Sequence, residues 1–313
     1  MSDVRLHPEI EAVFGRMTGL KPETRPAAEV RALMNGFALA TQGPRPDDIE
    51  VEDLVAELPG RALRLRIYRP KGVAGKLPVM FYFHGGGWIM GNIDTHDRYA
   101  CFLTQASRVA FVSVDYRLAP EHPYPACIED AWDSVCWVHE HADRLNLDTS
   151  RLGISGDSAG GQLTAACTFR ARERGGPKIS FQLLIYPVVD HDMTRPTYTE
   201  WGDRILVTLP YAVWMFRQFF GDDPPYDDPD AFPLRQPDLR GLPPAYVVTC
   251  EYDVLREEGE LYAKRLMDAG VPTSLRRVQG ATHPFMRAMP ESEYVRSEMR
   301  EMGHQISRAL VGD

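Results

Sequence analysis

Near the start of the chain, apolar residues recur every three or four positions: Ile10, Val13, Phe14 and Met17, then Val30, Leu33, Met34 and Phe37. That spacing predicts two amphipathic helices, over "HPEIEAVFGRMTGL" and "PAAEVRALMNGFALATQG", with Pro26 near the start of the second and Gly43 ending it. "TQGPRPDD" then reads as a linker. In "RALRLRIYRP" the period drops to two, with Leu63, Leu65 and Ile67 opposed to Arg64, Arg66 and Tyr68. This predicts a half-buried strand.

The pattern then changes again. "PVMFYFH", "VAFVSVDY", "RLGIS", "ISFQLLIYP" and "PPAYVVTCEY" are short, nearly continuous apolar runs. Such runs suit strands buried on both faces, as in a parallel sheet. Helical stretches separate them, at "YPACIEDAWDSVCWVHEHADRL", "AGGQLTAACTFRARER" and "LREEGELYAKRLMDAG". Strand and helix in alternation predict an α/β fold, a mostly parallel central sheet with helices on both faces. One segment breaks the rhythm. From about Val189 to Pro237 no strand-like run occurs; an apolar helix, "PYAVWMFRQFFG", precedes a Pro/Asp-rich loop. We read an insertion into the α/β core. The expected organisation is a helical cap from residues 1–45 and 190–225, around a catalytic domain of 46–189 and 226–313. The apolar faces of the N-terminal helices need a partner, and the insertion helix around Trp214 is the expected one.

Composition narrows the function classes. The net charge is −9, from 35 Lys and Arg against 44 Asp and Glu, which argues against nucleic-acid or anionic-membrane binding. The five cysteines are spread out with no C-x-x-C pair, so buried free thiols are expected, with neither disulfides nor a metal site. The N-terminal stretch lacks the apolar run of a signal peptide, and no segment approaches a membrane span. A cytoplasmic location is the expectation.

The candidate chemistry lies in "RLGISGDSAGGQLTAA". G-x-S-x-G between a strand and a helix is a nucleophile elbow: a tight turn presents Ser158 at the sheet edge, beside a helix N-terminus that stabilises negative charge. Ser155 reads as the end of the strand or part of the turn. "FYFHGGGW" places three glycines after an apolar run. Glycines bring bare backbone N–H groups close to a substrate oxygen, where an oxyanion would form. Gly86 and Gly87 are the main donors expected, Gly85 a neighbour, and Ala159, just after the serine, the other donor. His84 reads as a loop-fixing residue. Among nine histidines, His283 in "VQGATHPF" follows the last strand-like run and falls on the same side of a parallel sheet as Ser158. His96 and His122, in loops, stay open on position alone. Asp253 follows the strand "AYVVTCEY" and would orient the His283 ring; Glu251 is the runner-up. Trp88, Trp214 and Phe285 are expected to line the substrate pocket.

"HGGGW", "GDSAGG", "DYRLAPEHPYPACIEDA" and "LPPAYVVTCEYDVLREEGELYAKRL" resemble segments of the bacterial hormone-sensitive-lipase-like family of α/β-hydrolase carboxylesterases, over nearly the whole chain. The order Ser158, Asp253, His283 is that of α/β-hydrolases. The resemblance implies the α/β-hydrolase fold with a helical cap, nucleophile Ser158, acid Asp253, base His283, and oxyanion donors among the glycines after His84 and at Ala159. It implies a serine carboxylesterase acting on short- to medium-chain acyl esters through an acyl-enzyme, with a small-molecule ester as partner. No cofactor or metal is needed, and the resemblance allows a homodimer. Two positions depart from the family: Pro284 stands where Gly commonly follows the histidine, and Val254 where Pro commonly follows the acid.

Overall fold

The computed structural model describes residues 4–15 and 20–312. Among them, one sheet comprises β1 (Ile49–Leu58), β2 (Arg61–Pro70), β3 (Leu77–Phe83), β4 (Ala110–Val114), β5 (Leu147–Asp157), β6 (Ile179–Ile185), β7 (Ala245–Tyr252) and β8 (Thr273–Thr282). Their order is β1-β2-β4-β3-β5-β6-β7-β8. Pairing is antiparallel from β1 to β2 and from β2 to β4, and parallel across the remainder. The helices are α1 (Pro8–Phe14), α2 (Ala27–Thr41), α3 (Asp97–Ser107), α4 (Ala126–Glu140), α5 (Ala159–Arg174), α6 (Pro196–Trp201), α7 (Leu209–Phe220), α8 (Arg256–Asp268) and α9 (Glu293–Leu310).

Successive side chains of a strand point to opposite faces, so the unbroken apolar run of β3 needs cover on both. Val79, Phe81 and Phe83 pack into the core that holds α4 and α5, while Met80 and Tyr82 pack with α3 and α9. A third cluster joins β6 and β7 to α5 and α8. The insertion carries α6 and α7 and no strand. No described helix is long and apolar enough to cross a membrane.

Three elements depart from the expectation. The stretch after the linker, to which the pattern assigned no element, is a strand: β1 forms a hairpin with β2 through the Pro59-Gly60 turn. It is an edge strand of the sheet in which only Ile49 and Ala56 are buried, so its apolar signal is diluted by Glu and Asp. β2 is not half-buried either. Arg66 and Tyr68 are covered by α3, Arg66 pairing with Asp53 and Asp97 and the Tyr68 hydroxyl donating to Asp97 at 3.0 Å. Polar residues can occupy a covered face when each finds a partner. Finally, α1 packs away from the insertion helix. Ile10, Val13 and Phe14 join the core beside α9 and β8. The His7 amide donates to the Gly280 carbonyl at 2.9 Å, and Glu9 accepts from the Tyr294 amide at 3.0 Å. Met17, expected on the same face, lies outside the described residues. It is α2 that faces the insertion side, burying Val30 and Met34 in the cluster that also holds Phe219 and Phe220 of α7.

Candidate active site

The parallel strands bring three loops to one edge: Ser158 follows β5, Asp253 follows β7 and His283 follows β8. Ser158 has φ 55° and ψ −117°, a conformation an L-residue adopts only under strain. The strain is held by hydrogen bonds on both sides of the residue. Its amide donates to the Ile185 carbonyl at 2.9 Å, and its carbonyl accepts from the Gly161 and Val188 amides at 2.9 and 3.1 Å. The glycines of the elbow are there for space. A Cβ on Gly160 would fall on the Phe83 carbonyl oxygen, and one on Gly156 on the Gly160 carbonyl. Gly160→Ala is expected to lower stability by about 1–3 kcal/mol, read as a lower midpoint in urea denaturation. An unchanged midpoint would mean that α5 can move off β3 at no cost. Ser155 stays in the strand, its hydroxyl donating to the Phe81 carbonyl at 2.7 Å.

His283 joins the two other residues. Its Nε2 lies 3.0 Å from Ser158 Oγ and its Nδ1 2.9 Å from Asp253 Oδ2. All three side chains are buried, and the edge of the Tyr186 ring lies against the imidazole with centroids 4.6 Å apart. Asp253 Oδ1 accepts from the Leu255 amide at 3.0 Å, which fixes the carboxylate. Pro284 does not displace the histidine from either partner. Glu251 is elsewhere, accepting from the Gly280 amide at 2.7 Å. Among the loop histidines, His96 lines the cavity, but burial, then the charge of Arg287, pushes its pKa down to about 3, too weak a base for a serine. His122 is exposed.

The glycine loop is braced from below by Asp157, which the sequence reading did not single out. Asp157 Oδ1 accepts from the Gly85 amide at 2.8 Å and the Tyr82 hydroxyl at 2.7 Å, and burial raises its pKa. Nothing in G-D-S-A-G distinguishes a residue that turns back to hold another loop. The Gly85 amide is therefore committed to Asp157, which removes it from the expected donors. Gly86 and Gly87, with φ of 123° and 57°, line the cavity beside Ser158. Among the described residues their amides, like that of Ala159, donate to no protein acceptor. Ala159 is the first residue of α5, where an amide has no intrahelical partner. His84 does fix the loop. Its ring stacks on Tyr116 with centroids 4.2 Å apart, the Tyr116 hydroxyl donates to the His84 carbonyl at 2.6 Å, and burial, then His96, pushes its pKa down to about 3. α2 clamps the same loop: Arg31 donates to the Ile89 carbonyl at 2.6 Å, and Asn35 accepts from the Gly91 amide at 2.9 Å.

Ser158 opens into a cavity between the glycine loop, α2 and α7. Trp88, Trp214 and Phe285 are not among its lining residues, contrary to expectation. Trp88 is buried with its indole stacked on Phe219 at 4.4 Å and its Nε1 donating to Gln162 at 2.8 Å. Phe285 is wholly buried in the core under α9. On α7 it is Tyr211 and Met215, one turn apart, that face the cavity, with Trp214 tilted against Tyr211 at 5.8 Å. Met34 and Ala38 of α2, with Leu206 and Val207, complete the apolar wall. Among the described residues no three His, Cys, Asp or Glu side chains gather to hold a metal ion.

A family model described as alpha/beta hydrolase fold matches residues 80–287. Esterase LipI of Mycobacterium tuberculosis is 40% identical over 243 residues, 76% of each chain. An arylesterase of Saccharolobus solfataricus is 36% identical over 271 residues, covering 85% of this chain and 87% of its own. The crystal structure of a thermostable esterase from Pseudomonas putida superposes with a TM-score of 0.93 at 33% identity, covering 99% of both chains. With an eight-stranded sheet of this order and relatives of this similarity along most of its length, the chain belongs to the α/β-hydrolase fold family and, within it, to the hormone-sensitive-lipase-like carboxylesterases.

Proposed function

We propose that the protein is a serine carboxylesterase that hydrolyses short- to medium-chain acyl esters through an acyl-enzyme. The observation that carries the mechanism is the unbroken chain of hydrogen bonds from Ser158 Oγ through His283 to Asp253. Ser158 is the nucleophile. As its oxygen attacks the ester carbonyl, His283 Nε2 takes the hydroxyl proton, and Asp253 stabilises the imidazolium. The N–H groups of Gly86, Gly87 and Ala159 receive the oxyanion of the tetrahedral intermediate. Its collapse breaks the ester C–O bond, and His283 returns the proton to the leaving alcohol. Water, deprotonated by the same imidazole, then attacks the acyl-serine; the acid leaves and Ser158 regains its proton.

We read α2 and the segment 190–225 as the cap, because Met34, Ala38, Leu206, Val207, Tyr211 and Met215 wall the cavity over Ser158. A wall of this kind sets the acyl length. In a panel of p-nitrophenyl esters, turnover should peak at about four to eight acyl carbons, each fitted methylene contributing about 0.8 kcal/mol until the wall is met. Met215→Ala should move the peak to longer chains. A profile still rising at sixteen carbons would point to an interfacial lipase, and an unmoved peak in Met215→Ala would place the wall elsewhere.

A further inference from the structure

One charge in the cavity makes no ion pair among the described residues. Arg287 sits on the 3-10 turn Phe285–Ala288, one turn beyond His283, and lines the same cavity as Ser158. Its Nε and Nη1 are fully buried and have no hydrogen-bond partner among the described residues. Its guanidinium carbon lies over the Phe37 ring of α2, 6.0 Å from the centroid. The two buried arginines Arg66 and Arg170 are paired. Arg66 meets Asp53 and Asp97, and Arg170 meets Glu129 and Asp230 at 2.8 Å each. Arg98 also has two unpartnered buried nitrogens, but it lies on α3 and does not line this cavity.

The other ionisable groups around the cavity leave Arg287 unanswered. Asp157 is the carboxylate among the lining residues, and its oxygens are taken by Tyr82, Gly85 and Tyr186. No ion pair joins it to Arg287 among the described residues. His283 is held between Ser158 and Asp253. The Arg287 charge bears on His96, Tyr99 and Tyr211, all lining residues, and Glu23, which also bears on Tyr211, makes no ion pair with it among the described residues. Arg287 as a whole is half-buried, but guanidinium nitrogens buried without an acceptor are costly, and charged groups left in that state beside a cavity cluster at functional sites.

We propose that the esters this site is built to take carry a carboxylate, which the Arg287 guanidinium receives inside the cavity. A guanidinium offers a planar fork of donors that matches a carboxylate with two parallel hydrogen bonds. Arg287 is the one Arg or Lys among the lining residues, and one cation balances a single negative charge, where a phosphate dianion would need a second. The carboxylate takes no part in bond making: water adds across the ester C–O bond as before, and the charged group leaves on whichever product carries it. The inference rests on the ester-hydrolase reading of Ser158.

Two matched pairs of substrates test it. Monoethyl glutarate and its isosteric amide place the charge on the acyl side. 4-Acetoxybutyrate and 4-acetoxybutanamide place it on the alcohol side. Arg287→Gln should lower the anionic-to-neutral ratio of kcat/KM by about 10- to 100-fold in one of the pairs, the range set by a charge-assisted bidentate contact. The pair that responds identifies the side. Arg287→Lys, which keeps the charge without the fork, should give a ratio between the two. A ratio within about threefold of wild type in both pairs of the Arg287→Gln protein overturns the proposal. A measurement on the unaltered protein stands beside these. Butyrate should compete with a neutral ester about tenfold more tightly than butyramide does, and equal or weaker inhibition by butyrate is the contrary result. Failure of wild-type protein to hydrolyse any ester, neutral ones included, would instead remove the esterase reading itself.

Discussion

Ser158→Ala is expected to lower kcat on a p-nitrophenyl ester by about 10⁶-fold, the loss seen when a hydrolase loses the nucleophile of a unit that acts together. The size of the effect follows from what is lost. Without Oγ no acyl-enzyme forms, and His283 has no hydroxyl to deprotonate. What remains is a cavity with amides beside a bound ester, which retains only a small catalysis over water. The fold should survive. The substitution removes one hydroxyl and its 3.0 Å contact to His283, while the backbone hydrogen bonds that hold the elbow stay in place. Thermal melting should therefore shift little while activity disappears. Mass spectrometry after treatment with a phosphonate or sulfonyl fluoride should find the adduct on Ser158 in the wild type and none on Ser155, whose hydroxyl is spent on Phe81. A Ser158→Ala protein that keeps a tenth of wild-type turnover would remove Ser158 from the mechanism.

How much of this was legible in the chain depends on how local the physics is. β3, β4, β6 and β7 were visible because each is a nearly continuous apolar run, a consequence of cover on both faces. Ser158 and the glycine loop were visible because close backbone approach permits few residue types: Gly160 touches the Phe83 carbonyl, and no other side chain fits. His283 and Asp253 could be placed because a parallel sheet delivers the ends of its strands to one edge, so position along the chain became position in space. The misses are long-range. β1 is an acidic edge strand that needs little apolar surface. α3 and α9, neither read from the pattern, cover much of one face of the sheet and pack against each other. Size and place suggested Trp88, Trp214 and Phe285 as pocket residues, Trp88 after the glycine loop and Trp214 on the insertion helix, but large aromatic rings fill cores as readily as pockets. Which face of α7 meets the cavity is decided by how it docks, and that put Tyr211 and Met215 there. The Gly85 amide was lost to Asp157, a residue whose partner lies 72 positions earlier in the chain.

Asp253→Asn is expected to reduce kcat by about 10³- to 10⁴-fold, without the loss of fold that a buried polar change often brings. The reason lies in the second hydrogen bond of the carboxylate. Oδ1 accepts from the Leu255 amide at 3.0 Å while Oδ2 faces His283 Nδ1 at 2.9 Å. An asparagine has one oxygen for these two places. If its NH₂ turned toward Leu255, two donors would meet in a buried site, which is costly. The oxygen therefore stays on Leu255, and the NH₂ is presented to Nδ1. An imidazole that accepts at Nδ1 carries its proton on Nε2, the nitrogen beside Ser158 Oγ, and cannot take the proton that serine must lose. The base is present and in position but in the wrong tautomer. Glu251→Gln is the matched control. Glu251 accepts from the Gly280 amide, and a glutamine oxygen does the same, so its kcat should fall by less than about threefold. Steady-state kinetics of the two variants on one ester, with melting curves to show both are folded, decides between them. If Glu251→Gln loses the larger factor, the carboxylate that orients His283 is Glu251 and the tautomer argument applies there instead.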